Sequence, residues 1–188
     1  KVDADLAATF PDADPSLFNI GLLHTSLDGR PGHASYAPTT VDTLRGRGYQ
    51  YWALGHVHQR EVVSTDPWIV FPGNLQGRQV RETGAKGASL VTVTNGEVES
   101  VEHLELDVFR WADCTVDVSG ASAFDEVIEK VSEALDTALV SASDRTVAAR
   151  VNIIGQCSVH NELWKRSFEV EVEVRALAGM YQPRGEFQ

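Results

Sequence analysis

The chain has 188 residues, 43% of them hydrophobic and 23% charged, with a formal net charge of −11. That length holds one domain or two small ones of ordinary globular composition, and no apolar run approaches the ~20 residues that a membrane helix needs. The acidic balance excludes a protein that holds nucleic acid mainly by long-range attraction to phosphate, but not one that reaches phosphate through bound divalent cations.

Residues 1–16 are polar, with Pro11 and Pro15 flanking Asp12 and Asp14, and read as a loop or connecting segment. The first residues, Lys1-Val2-Asp3-Ala4-Asp5, lack an initiator Met and a signal-peptide core, so the expectation is a fragment of a longer protein. Leu17 to Leu23 is the first strand, ending at His24-Thr25-Ser26, and Asp28 to His33 is a loop too rich in turn formers to be regular. Pro38 to Gly48 reads as a short helix, with Thr39 or Thr40 as N-cap and Gly46 or Gly48 at its end. The run Tyr49-Gln50-Tyr51-Trp52-Ala53-Leu54 then reads as a buried strand that stops at Gly55 and delivers His56 and His58. Strand, helix, strand in this order predicts a βαβ unit with a parallel pair.

Glu61 to Ser64 and Trp68 to Phe71 are two short strands, the second ended by Pro72-Gly73-Asn74. The next segment is basic, carrying Arg78, Arg81 and Lys86 against Glu82 alone. Ala88 to Val93 and Val98 to Leu106 form a hairpin about Asn95-Gly96. Composition breaks near Arg110-Trp111-Ala112, which places one domain over residues 1–112 and a second over 113–188. In the second, Thr115 to Val118 is a strand, and Ala123 to Leu139 is a helix with apolar residues at helical spacing. Val147 to Ile154 and Ser167 to Ala176 alternate as strands, giving β-α-β-β, a small α+β unit. Cys114 and Cys157 lie far apart without CxxC spacing, which predicts a reducing, cytoplasmic setting and no disulfide framework. Residues 1–112 carry 9 Lys+Arg against 14 Asp+Glu and residues 113–188 carry 7 against 13, so neither part is a basic arm.

Three histidines, His24, His56 and His58, fall at the ends of predicted core strands, where α/β folds place their sites. Neutral imidazole is the commonest protein metal ligand. Three imidazoles and a water would suit one catalytic zinc, and the same three could be divided between two ions. His33, His103 and His160 lie in contexts that point to no site.

The motifs Leu22-Leu23-His24 and Gly55-His56-Val57-His58, in this order, resemble the C-terminal half of the calcineurin-like metallophosphoesterase superfamily. Val70 to Arg78, Tyr36-Ala37-Pro38 and Arg81 to Gly87 are similar to its SbcD-like branch of DNA repair exonucleases. The resemblance implies an α/β fold: the C-terminal part of a β-sandwich catalytic core over residues 1–112, then a small α+β capping domain. It implies a dinuclear centre, with His24 and His56 on one ion and His58 on the other, and manganese as the expected metal. The implied reaction is phosphodiester hydrolysis, with Asn74 and Arg78 against substrate phosphate. The implied partners are DNA, an SMC-like ATPase subunit and a second copy of the chain, with no membrane.

The family's Asp-x-His, Gly-Asp and Asn-His-Asp motifs do not occur here. Its catalytic histidine is expected upstream of this sequence, so the chain by itself should bind metal weakly and hydrolyse nothing. Two other readings stand beside this one: a small-substrate phosphodiesterase or nucleotidase of the same superfamily, and a non-catalytic module that docks a partner.

Overall fold

The computed structural model describes residues 2–27 and 36–180. The loop expected over Asp28 to His33 lies outside the described residues. The chain divides into two compact units, one made of residues 1–77 and 85–107 and the other of residues 78–84 and 108–188.

In the first unit, β1 (Ile20–His24), helix α1 (Val41–Gly46) and β2 (Tyr51–Gly55) form the predicted βαβ motif, with β1 and β2 parallel from Ile20↔Tyr51 to His24↔Gly55. Thr40 caps α1 by accepting the Thr43 N–H, and Gly48, at φ 75°, turns the chain out of the helix. Beyond β2 lies β4 (Trp68–Phe71), again parallel, with β3 (Glu61–Thr65) antiparallel at its outer edge. The sheet order is β1-β2-β4-β3. A separate antiparallel hairpin, β5 (Gly87–Thr94) and β6 (Glu97–Glu105), turns on Asn95 and Gly96, both at positive φ as a two-residue hairpin turn requires. The β-sandwich implied by the resemblance thus stands as an expectation beside an observed four-stranded mixed sheet and a hairpin.

The core of this unit is built on one face of the sheet. Leu44, Trp52, Leu54, Ile69 and Phe71 are all buried there. The Trp52 ring stacks on Tyr49 with centroids 4.9 Å apart and meets Phe10 at 5.5 Å. Gly21 faces this ring: a Cβ at that position would lie 2.2 Å from it, so only glycine lets β1 pass. The polar segment read as a connecting loop is therefore fastened to the core. The Arg47 guanidinium donates to the Phe10 carbonyl at 2.9 Å, and the Tyr49 hydroxyl donates to that of Pro11 at 3.1 Å. On its other face β1 leaves Ile20 and Leu22 exposed.

In the second unit, β7 (Phe109–Asp117), helix α2 (Phe124–Ser141) and β8 (Thr146–Ile154) form another parallel βαβ unit. Val127, Val131 and Leu135, on one stripe of α2, pack with Val116 and Val118. The expected join between residues 112 and 113 falls inside β7, and the composition break at Trp111 marks a strand rather than a linker.

One expected strand is corrected. Ser167 to Ala176 is helical, within α4 (Ser167–Met180), after the short helix α3 (His160–Lys165). The order is thus β-α-β-α-α. The Val/Glu alternation serves a helix because residues four apart share a face. Arg175 donates to Glu171 at 3.0 Å, and Val174 packs against the core of the unit. Among the described residues no helix is long and apolar enough to cross a membrane.

Candidate metal centre

Parallel register does the first part of the work. It sets His24, the last residue of β1, beside Gly55, the last residue of β2. Because Gly55 has no side chain, the His24 ring can lie over it; a Cβ there would stand 2.9 Å from His24 Nδ1. The next residue, His56, adopts φ 103°, a conformation that L residues rarely take and that is typical of functional sites. This turn brings His56 Nδ1 to 3.3 Å from His24 Nε2, with the two rings edge to face at 5.2 Å.

Two imidazole nitrogens bound to one cation at about 2.0–2.1 Å stand about 3–3.4 Å apart. The observed approach fits two donors on one ion. The same approach also admits one N–H···N hydrogen bond, whose direction depends on the tautomers. His58 is not drawn into this pair: among the described residues, no group of three or more His, Cys, Asp or Glu is placed to hold an ion.

Sequence reasoning missed Tyr36 as part of this site. Its ring stacks on His56 at 6.2 Å and meets His24 edge-on at 5.4 Å. Two buried hydroxyls hold it there. Thr25 Oγ1 donates to the Ala37 carbonyl at 2.7 Å, while Ser26 exchanges main-chain and side-chain hydrogen bonds with Tyr36. No spacing rule reports this, since Tyr36 follows His24 by twelve positions in the sequence.

The backbone of the histidine loop is held from below. The Asn74 N–H donates to the His58 carbonyl at 3.1 Å, and the Asn74 carbonyl accepts from Gly87 N–H at 3.0 Å. Gly73, at φ 79°, makes this approach possible, because a Cβ there would lie 2.9 Å from the His58 oxygen. Asn74 thus stands beside the histidine loop through its main chain. Arg78 belongs to the other unit, where its N–H donates to Glu82 at 2.8 Å and its guanidinium, largely exposed, lies 3.9 Å from the same carboxylate. The basic run expected to face phosphate is therefore partly offset by Glu82.

The family described as "Metallophosphoesterase YhaO, middle domain" matches residues 111–184. The chain is also 41% identical over 128 residues to the protein named "Uncharacterized metallophosphoesterase YhaO" from Bacillus subtilis (strain 168). That similarity covers 68% of this chain and 31% of the relative, so the chain spans about a third of the relative's length. Both similarities are to metallophosphoesterases, one through a middle-domain family over residues 111–184 and one through a relative over 128 residues.

Proposed function

We propose that this chain is the part of a two-metal phosphodiesterase that supplies the distal histidines, and that the whole protein is a DNA exonuclease of the SbcD-like kind. The observation that carries the metal reading is the 3.3 Å approach of His24 and His56. In this reading His24 and His56 hold one ion and His58 reaches the second. Bound divalent cations, manganese in this proposal, supply a lowered water pKa and neutralise charge on the phosphoryl oxygens. The chain's own part is to fix the imidazoles on rigid strand ends and to keep Tyr36 over them. Asn74, beside the histidine loop, is the proposed contact to substrate phosphate, and the exposed Arg78 guanidinium is proposed by itself as a charge-assisted donor to phosphate. DNA is the proposed substrate because Arg78 and Arg81 are exposed cations, while Lys86 of the same basic run is buried; an SMC-like ATPase and a second copy are the proposed partners.

The test uses the full-length protein with Mn²⁺, on duplex DNA and on a chromogenic phosphodiester. His58→Ala should abolish turnover of both substrates, because a displaced ligand misplaces nucleophile and clamp together. Arg78→Ala should weaken DNA cleavage with a reduced salt slope and spare the small ester. Loss of both substrates in Arg78→Ala would favour a small-substrate phosphodiesterase instead. Full turnover in His58→Ala would remove the metal assignment.

A further inference from the structure

The histidine loop is gripped by more than its own backbone. Directly after His58, the Gln59 carbonyl Oε1 accepts from the Lys86 ammonium at 3.4 Å, and the Arg60 guanidinium donates to the Val101 carbonyl of β6 at 3.5 Å. Lys86 stands at the entrance to β5 and is only 4% exposed. Its own carbonyl accepts from the N–H groups of Leu106 and Asp107, where β6 ends, at 3.0 and 3.2 Å. Gly87, the residue after it, is the one that donates to Asn74. The base of the hairpin therefore meets the histidine loop at two levels, main chain through Asn74 and side chain through Gln59.

Burying an ammonium group is costly unless something definite holds it. A hairpin needs no buried cation at its base, so the placement calls for a role. We propose that Lys86 is a positioning residue for the metal site: through Gln59 it clamps the His58 loop onto the β5–β6 hairpin and so fixes the direction in which His58 points. The link to metal rests on the reading of His24, His56 and His58 as ligands, while the clamp itself is a property of the metal-free chain. Outer partners of metal ligands act in this way, orienting a donor without touching the ion.

Hydrogen exchange on the metal-free chain tests the clamp directly, because the Asn74 N–H bonded to His58 reports opening of that loop. Lys86→Met and Gln59→Ala should each speed exchange at Asn74 by about tenfold or more, and the double variant should be no worse than either alone. Gln59→Glu, which keeps an acceptor for the ammonium, should restore the slow rate. Amides of β1 and β2 should not change. In the full-length protein the same two variants should raise the Mn²⁺ concentration for half-saturation, read by calorimetry, by about 10–100-fold.

Unchanged exchange at Asn74 in both variants would overturn the proposal. So would a general speeding of exchange in Lys86→Met with Gln59→Ala silent, since Lys86 would then hold only the fold. Exchange that changes while Mn²⁺ affinity does not would sever the clamp from the metal site. A full-length protein that binds Mn²⁺ but cleaves no phosphodiester would defeat the exonuclease reading and leave the clamp standing.

Discussion

Gly55 and His24 show how little room the site leaves at the level of single residues. With a would-be Cβ at 2.9 Å from His24 Nδ1, Gly55→Ala must push the imidazole away from His56. The expected outcome is a loss of metal affinity of about tenfold or more in the full-length protein, with a much smaller change in melting temperature. Calorimetric titration alongside a thermal melt separates the two. This chain alone, titrated with Mn²⁺ or Zn²⁺, should bind weakly, and His56→Ala should reduce that further. Tight binding of two ions by this chain would contradict the division of ligands. Away from the site, burial and, to a lesser degree, Asp113 push the Cys114 thiol above its ordinary range. A smaller thiolate fraction follows. Cys114 should therefore alkylate more slowly at pH 8 than a cysteine in a model peptide, followed by mass spectrometry.

Among the elements, α4 invites the sharpest test. In a helix Glu171 and Arg175 are one turn apart and paired; in a strand they would stand about 13 Å apart and ignore each other. Arg175→Glu should cost roughly 0.2–0.5 kcal/mol, and adding Glu171→Arg should restore it. Additive, near-zero effects would return the segment to the strand first read from its alternation. The start of α2 carries a pH dependence. Glu126 accepts hydrogen bonds from the Ser122 N–H and hydroxyl, and these hold its carboxyl below the usual range. A carboxyl lowered on folding stabilises fully above its unfolded value, about 4.3, and that contribution is lost as pH falls through its folded value. Melting temperature should fall more steeply below pH 4 for the native chain than for Glu126→Gln.

For the whole molecule the two cores decide cooperativity. The cluster around Trp52 and the cluster around Val127 share no residue. Two separate cores break the all-or-none approximation. Trp52→Ala should destabilise the first unit by about 3–5 kcal/mol and Leu135→Ala the second by about 2–5 kcal/mol. Differential scanning calorimetry should show each substitution moving a different transition. A single transition shifted equally by both would mean that the units fold as one. Limited proteolysis belongs at this scale too. Val108 is 75% exposed where one unit gives way to the other, and β7 begins at Phe109. The first cut should fall at or just before Val108 rather than between Trp111 and Cys114.

Where a segment's physics is local, the sequence alone determined the outcome. The βαβ unit of β1, α1 and β2, the Asn95-Gly96 hairpin and the amphipathic α2 follow from capping residues, positive-φ turn chemistry and a 3.6-residue stripe, all of which act over a few neighbours. The placement of His24, His56 and His58 after strands was legible for the same reason. Tertiary structure alone decided the rest. A Val/Glu alternation satisfies strand pleat and i,i+4 helix pairs alike, so only packing on the second core selects the helix of α4. The 3.3 Å meeting of His24 with His56 depends on parallel register, on the missing side chain of Gly55 and on strain at φ 103°. Tyr36 and Lys86 reach the site across chain separations that carry no periodic signal. Such contacts arise only when separate elements pack, because loop length sets no register between them.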